Sequence, residues 1–171
     1  MNDVTFVADS QTAWSDEVVE ITHAISWEPD GPRLLSTVTL RNTSSSEVWV
    51  PEPLVMPFGD ERKNCIRITD SSKRELRQRG VHTEFRTNAA GQQVLPYVHL
   101  QPGETREWIF DLVDGFEDLS ETEGEVTVVL TYGSPADTTS HFDDQGNLHQ
   151  VPCWRGTSDL PAIRLRVAAA P

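Results

Sequence analysis

A two-residue alternation of apolar and polar side chains runs through most of the chain. It is clearest in "EVTVVLTYG", and in "RLLSTVTLRN" the alternating set is Leu34, Ser36, Val38 and Leu40. This period is typical of a half-buried β-strand, because successive side chains point to opposite faces of a sheet. The sets predicted to point into a core are Leu34-Ser36-Val38-Leu40, Ile66-Ile68 and Val126-Val128-Leu130, with Trp108 or Phe110 closing one side. The segment "EVVEITHAISWEP" is also predicted to be a strand, because it carries Val19, Ile21, Ala24 and Ile25 in a β-branched context.

Turn signals separate these runs at short intervals, as in "EPDGP" and "LQPGET". Pro and Gly at such points favour tight turns over continued strands. The stretch "DSSKRELRQRG" contains good helix formers, but Leu76 is its single apolar residue, so a helix there would have no face to bury. A hairpin turning through residues 70–73 is predicted instead, and a short helical turn is expected within "DGFEDLSETEG".

These patterns predict an all-β protein: a single immunoglobulin-like β-sandwich of about eight or nine strands with at most one short helical turn. A length of 171 residues suits one domain. We assign residues 1–171 to a single β-sandwich domain, with the main sandwich at 14–133, a polar loop or hairpin at 134–159 and a final strand at 160–168.

Charge narrows the possible partners. The formal net charge is −13 and the sequence pI is near 4.6, which argues against binding to nucleic acid or to an anionic membrane. The acidity is either a solvated surface or a face that docks on a basic protein. No apolar run approaches the length of a membrane span, and "MNDVTFVADSQTAW" does not resemble a secretory signal. We therefore expect a cytoplasmic protein, although a trimmed N-terminus would look the same.

Catalytic motifs are not recognisable. The chain contains no GxSxG, no glycine-rich phosphate loop and no cysteine beside a plausible base. Cys65 and Cys153 are expected to be reduced thiols, with a single bridge as the alternative, and Cys153 in "VPCWRG" is predicted to lie in a packed corner. We predict no enzyme activity and no cofactor.

Metal binding is the main alternative. The histidines form neither HExxH nor HxH, and the best cluster of possible ligands is "HFDDQGNLH". If this segment is a hairpin turned at residues 144–147, His141 and His149 face each other and could hold a divalent ion. The residues "DDQGN" also favour a tight turn that binds no ligand. We therefore predict no metal site and keep a small-molecule or metal-binding role for the His141–His149 loop as an alternative.

The polar segment 134–159 is long for a compact domain, and long loops are frequently functional. Trp27, Trp49 and Trp108 are expected to pack on sheets, whereas Trp14 and Trp154 stand in less regular contexts. Aromatic side chains that are exposed can anchor a protein partner. The predicted partner-binding residues are Phe142, Asp143, Asp144, Leu148 and Trp154, with the acidic stretch "DGFEDLSETEGE" as a possible addition.

Three segments also resemble, in order, a known module: "LLSTVTLRNTSSSEVWVPEP", "IRITDSSKRELRQRGV" and "VHLQPGETREWIFDLVDGFEDLSETEGEVTVVLTY". They are similar to the immunoglobulin-like β-sandwich that precedes the catalytic domain of deuterolysin-type (aspzincin) metallopeptidases, over about residues 19–133. The family's catalysis uses HExxH and a later GTxD. "GTSD" at 156–159 fits the second motif, but HExxH does not occur, so the resemblance does not imply peptidase activity.

A free-standing copy of such a module resembles a protein-binding domain. We therefore expect a non-catalytic protein-binding β-sandwich and, more specifically, an inhibitor or immunity-type protein that acts on a peptidase or toxin. Its loops and edges would carry the function, while its strands form the scaffold.

Overall fold

A computed structural model describes residues 4–7, 9–31, 33–53, 65–79, 86–87, 93–94, 97–134 and 136–169. The β-strands are β1 Val4–Val7, β2 Asp9–Ser15, β3 Val19–Glu28, β4 Arg33–Asn42, β5 Val48–Pro51, β6 Cys65–Thr69, β7 Arg86–Thr87, β8 Gln93–Val94, β9 Tyr97–Leu100, β10 Thr105–Asp111, β11 Gly124–Ser134, β12 Thr138–Phe142, β13 Leu148–Pro152, β14 Gly156–Asp159 and β15 Ile163–Ala169. The helical segments are α1 Leu112–Gly115 and a 3-10 turn at Leu119–Glu121.

Two larger antiparallel sheets organise these strands. One has the order β1-β15-β11-β14 with β6 also paired to β11, and the other has the order β10-β4-β3-β2. Three two-stranded sheets, β12-β13, β5-β9 and β7-β8, complete the described pairing. The predicted all-β class is confirmed. The strand count exceeds the expected eight or nine because several strands are too short to show a hydrophobic period. The immunoglobulin-like topology stays a prediction.

Alternate residues of both larger sheets are buried in one continuous hydrophobic core. In β4 the burial alternates along the strand, and in β11 Val126, Val128, Leu130 and Tyr132 are fully buried. Every member of the three predicted inward sets is buried, and Trp108 and Phe110 pack partly buried against the core. The period-two pattern therefore identified the inner faces correctly.

One histidine is part of the buried face of β3, which consists of Val19, Ile21, His23 and Ile25. The strict alternation of a strand places residue 23 between residues 21 and 25, whatever its polarity. His23 Nε2 lies 2.8 Å from Ser36 Oγ, which is also buried. Burial lowers the pKa of His23 to about 4, because a charged imidazole would lose its hydration.

Residues 71–78 are not helical, as expected. The Asp70 carboxylate accepts hydrogen bonds from the backbone N–H groups of Ser72 and Arg74 and so closes a tight turn. Beyond the turn, a single bridge joins Thr69 to Glu75 in place of a regular ladder. The helical turn expected within "DGFEDLSETEG" is the 3-10 segment, and α1 precedes it with Asp111 as its N-cap.

Part of the predicted polar loop belongs to the body of the protein, which corrects the boundary at residue 159. Strand β14 pairs with β11, and Ser158 is buried. Trp154 is 5% exposed, its ring stacks on Tyr132 at 5.5 Å, and its Nε1–H donates to Asp16 Oδ2 at 2.8 Å. The protruding part is therefore the hairpin of β12 and β13. Within the described ranges, no helix is long and apolar enough to cross a membrane.

Replacing Leu130 with Ala should lower the free energy of unfolding by about 2–4 kcal/mol, because it removes a fully buried side chain and leaves a cavity. Urea unfolding measures the loss. Thr127→Ala, on the other face of the same strand, is the matched control and should change stability by about 1 kcal/mol or less. Equal effects of the two substitutions would contradict the assigned inner face.

Acid should destabilise the fold through His23. Since the folded-state pKa of about 4 lies below the unfolded value of 6.5, the unfolded chain binds the proton more tightly. This contribution is fully present above pH 6.5 and is lost as the pH falls towards 4, by about 3 kcal/mol in all. His23→Gln should remove that part of the pH dependence in unfolding measurements. A variant with the same pH profile as the parent protein would refute the assignment.

Candidate functional site: the β12–β13 hairpin

The β12–β13 hairpin has two different faces. In an antiparallel pair, directly opposite residues share a face, and the faces alternate along each strand. One face carries the opposed pair His141 and His149, and the other carries the opposed pair Phe142 and Leu148. The register is Thr138↔Pro152, Thr139↔Val151, Ser140↔Gln150, His141↔His149 and Phe142↔Leu148.

The outer face ends in an exposed apolar pair. Phe142 and Leu148 are each 47% exposed. Among the described residues, the large hydrophobic side chains that are exposed are Ile109, Phe142 and Leu148. Two of the three therefore lie side by side at the tip of one hairpin, and they are not part of the hydrophobic core.

The turn at the tip is organised by one carboxylate. Asp143 Oδ1 accepts hydrogen bonds from the backbone N–H of Gln145 at 2.9 Å and of Asn147 at 2.8 Å. Asp143 Oδ2 accepts from Asn147 Nδ2 at 3.1 Å and from His149 Nε2 at 2.8 Å. Gly146 takes a left-handed φ of 80°, which glycine adopts without strain. The hydrogen bonds from His149 and Asn147 hold the pKa of Asp143 well below its usual value.

The inner face rests on the body of the protein. The ring of His141 packs on Trp49 with centroids 4.6 Å apart, and His99 stacks on the same indole at 4.8 Å. At the base, the backbone N–H of Trp154 donates to the Trp49 carbonyl at 2.8 Å. The backbone N–H of Cys153 donates to the Asp137 carbonyl at 2.9 Å. These contacts fix the hairpin at its base and along its inner face.

The structure brings four of the five predicted partner-binding residues together at the tip: Phe142, Asp143, Asp144 and Leu148. Asp144 is exposed, whereas the Asp143 carboxylate is engaged within the turn. Trp154 was wrongly predicted as an exposed anchor, because its indole fills the core between Tyr132 and Trp14. Sequence reasoning also missed Trp49, since nothing in its local context indicates that a distant histidine packs on it.

The alternative based on metal ligands is only partly supported by the geometry. His141 and His149 are opposite each other, as expected. His149 is paired with Asp143, however, and His141 packs on an indole. Within the part of the chain that the structure describes, no group of three or more His, Cys, Asp or Glu side chains could hold a metal ion; His82 lies outside the described residues.

Both cysteines are free thiols, as predicted, and Cys65 is buried. The Cys153 thiol donates to the Ala136 carbonyl at 3.2 Å. Burial raises the pKa of the Cys153 thiol, which lowers the fraction of nucleophilic thiolate at neutral pH. This environment is typical of a packed cysteine.

Comparison of the chain with protein-family models, with curated proteins and with solved structures finds no match.

Asp143→Ala should loosen the tip without unfolding the protein, because it removes the acceptor for two backbone N–H groups. The amides of Gln145 and Asn147 should exchange with deuterium much faster, as measured by NMR, while the midpoint of thermal unfolding stays unchanged. Asp144→Ala is the matched control and should leave both amides protected. Unchanged exchange in Asp143→Ala would show that the carboxylate does not hold the turn.

Proposed function

We propose that this chain is a non-catalytic protein-binding β-protein that contacts its partner through the tip of the β12–β13 hairpin. The observation that carries the proposal is the exposed pair of Phe142 and Leu148, directly opposite each other at that tip. Aromatic and aliphatic side chains that become buried at the centre of an interface supply most of its binding energy.

The location of this pair supports binding over core packing. The pair lies on the face opposite to the one that packs on Trp49 through His141. Side chains on the inner face already stabilise the hairpin against the body. The outer pair is therefore available to a second molecule.

Rigidity of the tip also favours recognition. The Asp143 carboxylate holds the turn through four hydrogen bonds, and the base is tied to Trp49 and Asp137. A loop that is already ordered loses less conformational entropy on binding than a flexible one. The exposed pair would thus be presented in its bound geometry.

The negative charge of this protein indicates which residues should surround the apolar pocket on the partner. The exposed Asp144 is adjacent to the pair, and the whole chain carries a net charge of −13. A partner with an apolar pocket and a basic rim is complementary to this tip, and opposite net charges accelerate association.

The more specific part of the proposal is an inhibitor or immunity-type role against a peptidase or toxin. Its support is the resemblance of residues 19–133 to the module that precedes aspzincin catalytic domains, together with the acidic surface and the projecting hairpin. A narrow hairpin tip with apolar side chains is shaped to enter a cleft. We place the protein in the cytoplasm as part of the same proposal.

A small-molecule or metal-binding role is the alternative, and the opposed His141 and His149 favour it. It makes a different prediction: Zn²⁺ would raise the midpoint of thermal unfolding, and His149→Ala would abolish that rise. A protein-binding hairpin predicts no change with Zn²⁺.

Site-specific crosslinking tests the proposal. A photo-crosslinking amino acid at position 142 should capture one protein in cells, identified by mass spectrometry, whereas the same label at Ile109 should not. Ile109 is the matched position because it is 57% exposed on β10, away from the hairpin. The captured protein is then purified for binding measurements with the wild-type chain.

Replacing Phe142 and Leu148 with Asp should weaken that complex by at least about 2 kcal/mol, or roughly thirtyfold, because each buried apolar anchor would become a charge. Calorimetric titration measures the loss, and Ile109→Asp should bind like the wild type. Equal affinity of the double variant and the wild type would refute the hairpin as the contact surface. Turnover of a substrate by the isolated chain would refute the non-catalytic role.

A further inference from the structure

A cavity of about 330 Å³ lies beside β6, and it shares no residue with the hairpin. Its lining consists of the buried side chains Cys65, Ile66, Leu76 and Phe116 and the polar or charged side chains Arg67, Glu75, Arg77 and Gln78. Binding pockets for small molecules usually span about 300–1,000 Å³ and combine apolar walls with a few convergent polar groups. The cavity lies at the lower end of this volume range, and half of its eight lining residues are apolar.

Arg67 is the unusual member of this lining. It projects from β6 on the face opposite to the buried Ile66 and Ile68. Its Nε atom is buried and has no hydrogen-bond partner within the described part of the chain, and no described ion pair includes it. A buried guanidinium N–H without an acceptor is unfavourable, and an acceptor that enters the cavity would satisfy it.

The walls of the cavity are held in place by hydrogen bonds to the backbone. The Leu76 N–H donates to the Ile68 carbonyl at 2.8 Å, and Gln78 Nε2 donates to the Ile66 carbonyl at 3.0 Å. On the other side, the Glu117 N–H donates to the Arg77 carbonyl at 2.7 Å. The segment around Leu76 is thus fixed between β6 and the end of α1, so the cavity is formed before any ligand arrives.

We propose that this cavity binds a small monoanionic carboxylate with an apolar body. The carboxylate accepts hydrogen bonds from the Arg67 guanidinium, and the apolar part lies against Leu76 and Phe116. A guanidinium matches a carboxylate because its N–H groups form a planar fork that both carboxylate oxygens can accept.

The charge of the protein restricts the ligand class further. Acidic residues number 27 against 14 basic ones, and the lining contains Glu75 as well as Arg77, whose guanidinium lies 3.8 Å from the Glu117 carboxylate. A net negative protein repels multiply charged anions such as phosphate more strongly than a monoanion. The buried Leu76 and Phe116 favour a ligand with apolar surface over a bare anion such as acetate.

NMR titration of the isotopically labelled full chain with benzoate tests the proposal. Benzoate at millimolar concentration should shift the Arg67 Nε–H signal and the Leu76 methyl signals along one saturable curve. Benzamide, which has the same shape without the charge, should shift neither. Acetate should bind about tenfold more weakly, because it lacks the apolar body.

Two arginine variants provide the comparison. Arg67→Lys keeps the positive charge but removes the planar fork, and it should weaken benzoate binding about tenfold. Arg33→Gln is the matched control, because Arg33 is exposed and paired with Glu28 at 2.7 Å, and it should bind benzoate like the wild type. The backbone amide spectrum of each variant verifies that it is folded. The wild-type titration with benzoate, benzamide and acetate tests the proposal even if a variant does not fold.

The proposal is overturned if benzoate leaves the Arg67 Nε–H signal unshifted, or if Arg67→Lys binds benzoate as tightly as the wild type. Phosphate or acetate binding as tightly as benzoate would overturn the assignment to an apolar carboxylate. Loss of the hairpin complex in the variant with Asp at positions 142 and 148 does not affect this titration, so the two sites are tested separately.

Discussion

The register of β11 is the constraint on which the rest of the structure depends. Its first half pairs with β15, its second half pairs with β14, and its other edge pairs with β6. Because side chains alternate along a strand, a shift of one residue would turn Val126, Val128, Leu130 and Tyr132 out of the core. Burial of these four side chains therefore determines the positions of three neighbouring strands, including β6, from which Arg67 projects.

The end of β11 also determines where the hairpin begins. A side chain at Gly133 would place its Cβ 2.8 Å from the Gly156 carbonyl oxygen, so the close pairing with β14 requires glycine. At Gly156, a Cβ would lie 2.4 Å from the indole of Trp154. Because both positions are glycine, the backbone at each can lie close to its neighbour, and the chain returns to the sheet directly after β13. The hairpin is thus the one part of residues 136–159 that extends from the body, with its base held by Trp49 and Trp154.

The two candidate sites differ in how the protein stabilises them. At the hairpin, polar groups are satisfied internally by Asp143, and apolar side chains are left exposed. At the cavity, apolar side chains are buried, and the buried Nε atom of Arg67 has no hydrogen-bond partner among the described residues. The first arrangement suits a large partner that buries surface, and the second suits a small ligand that supplies an acceptor. An acidic chain can carry both functions on separate surfaces.

The sequence by itself determined the features that depend on neighbouring residues. Alternation identified the inner faces of β4 and β11, the missing apolar stripe excluded a helix at residues 71–78, and "DDQGN" indicated the turn that aligns Phe142 with Leu148. Such features follow from backbone geometry and local hydrogen bonding, which are encoded within a few residues. The burial of His23 on the inner face of β3 follows the same alternation, because residue 23 lies between residues 21 and 25 on that face. Only the tertiary structure decided that Trp154 is buried, that Trp49 supports His141 and that Arg67 borders a cavity. Those outcomes depend on segments far apart in the chain that meet only when the sheets pack, and no local pattern records which of them will be neighbours.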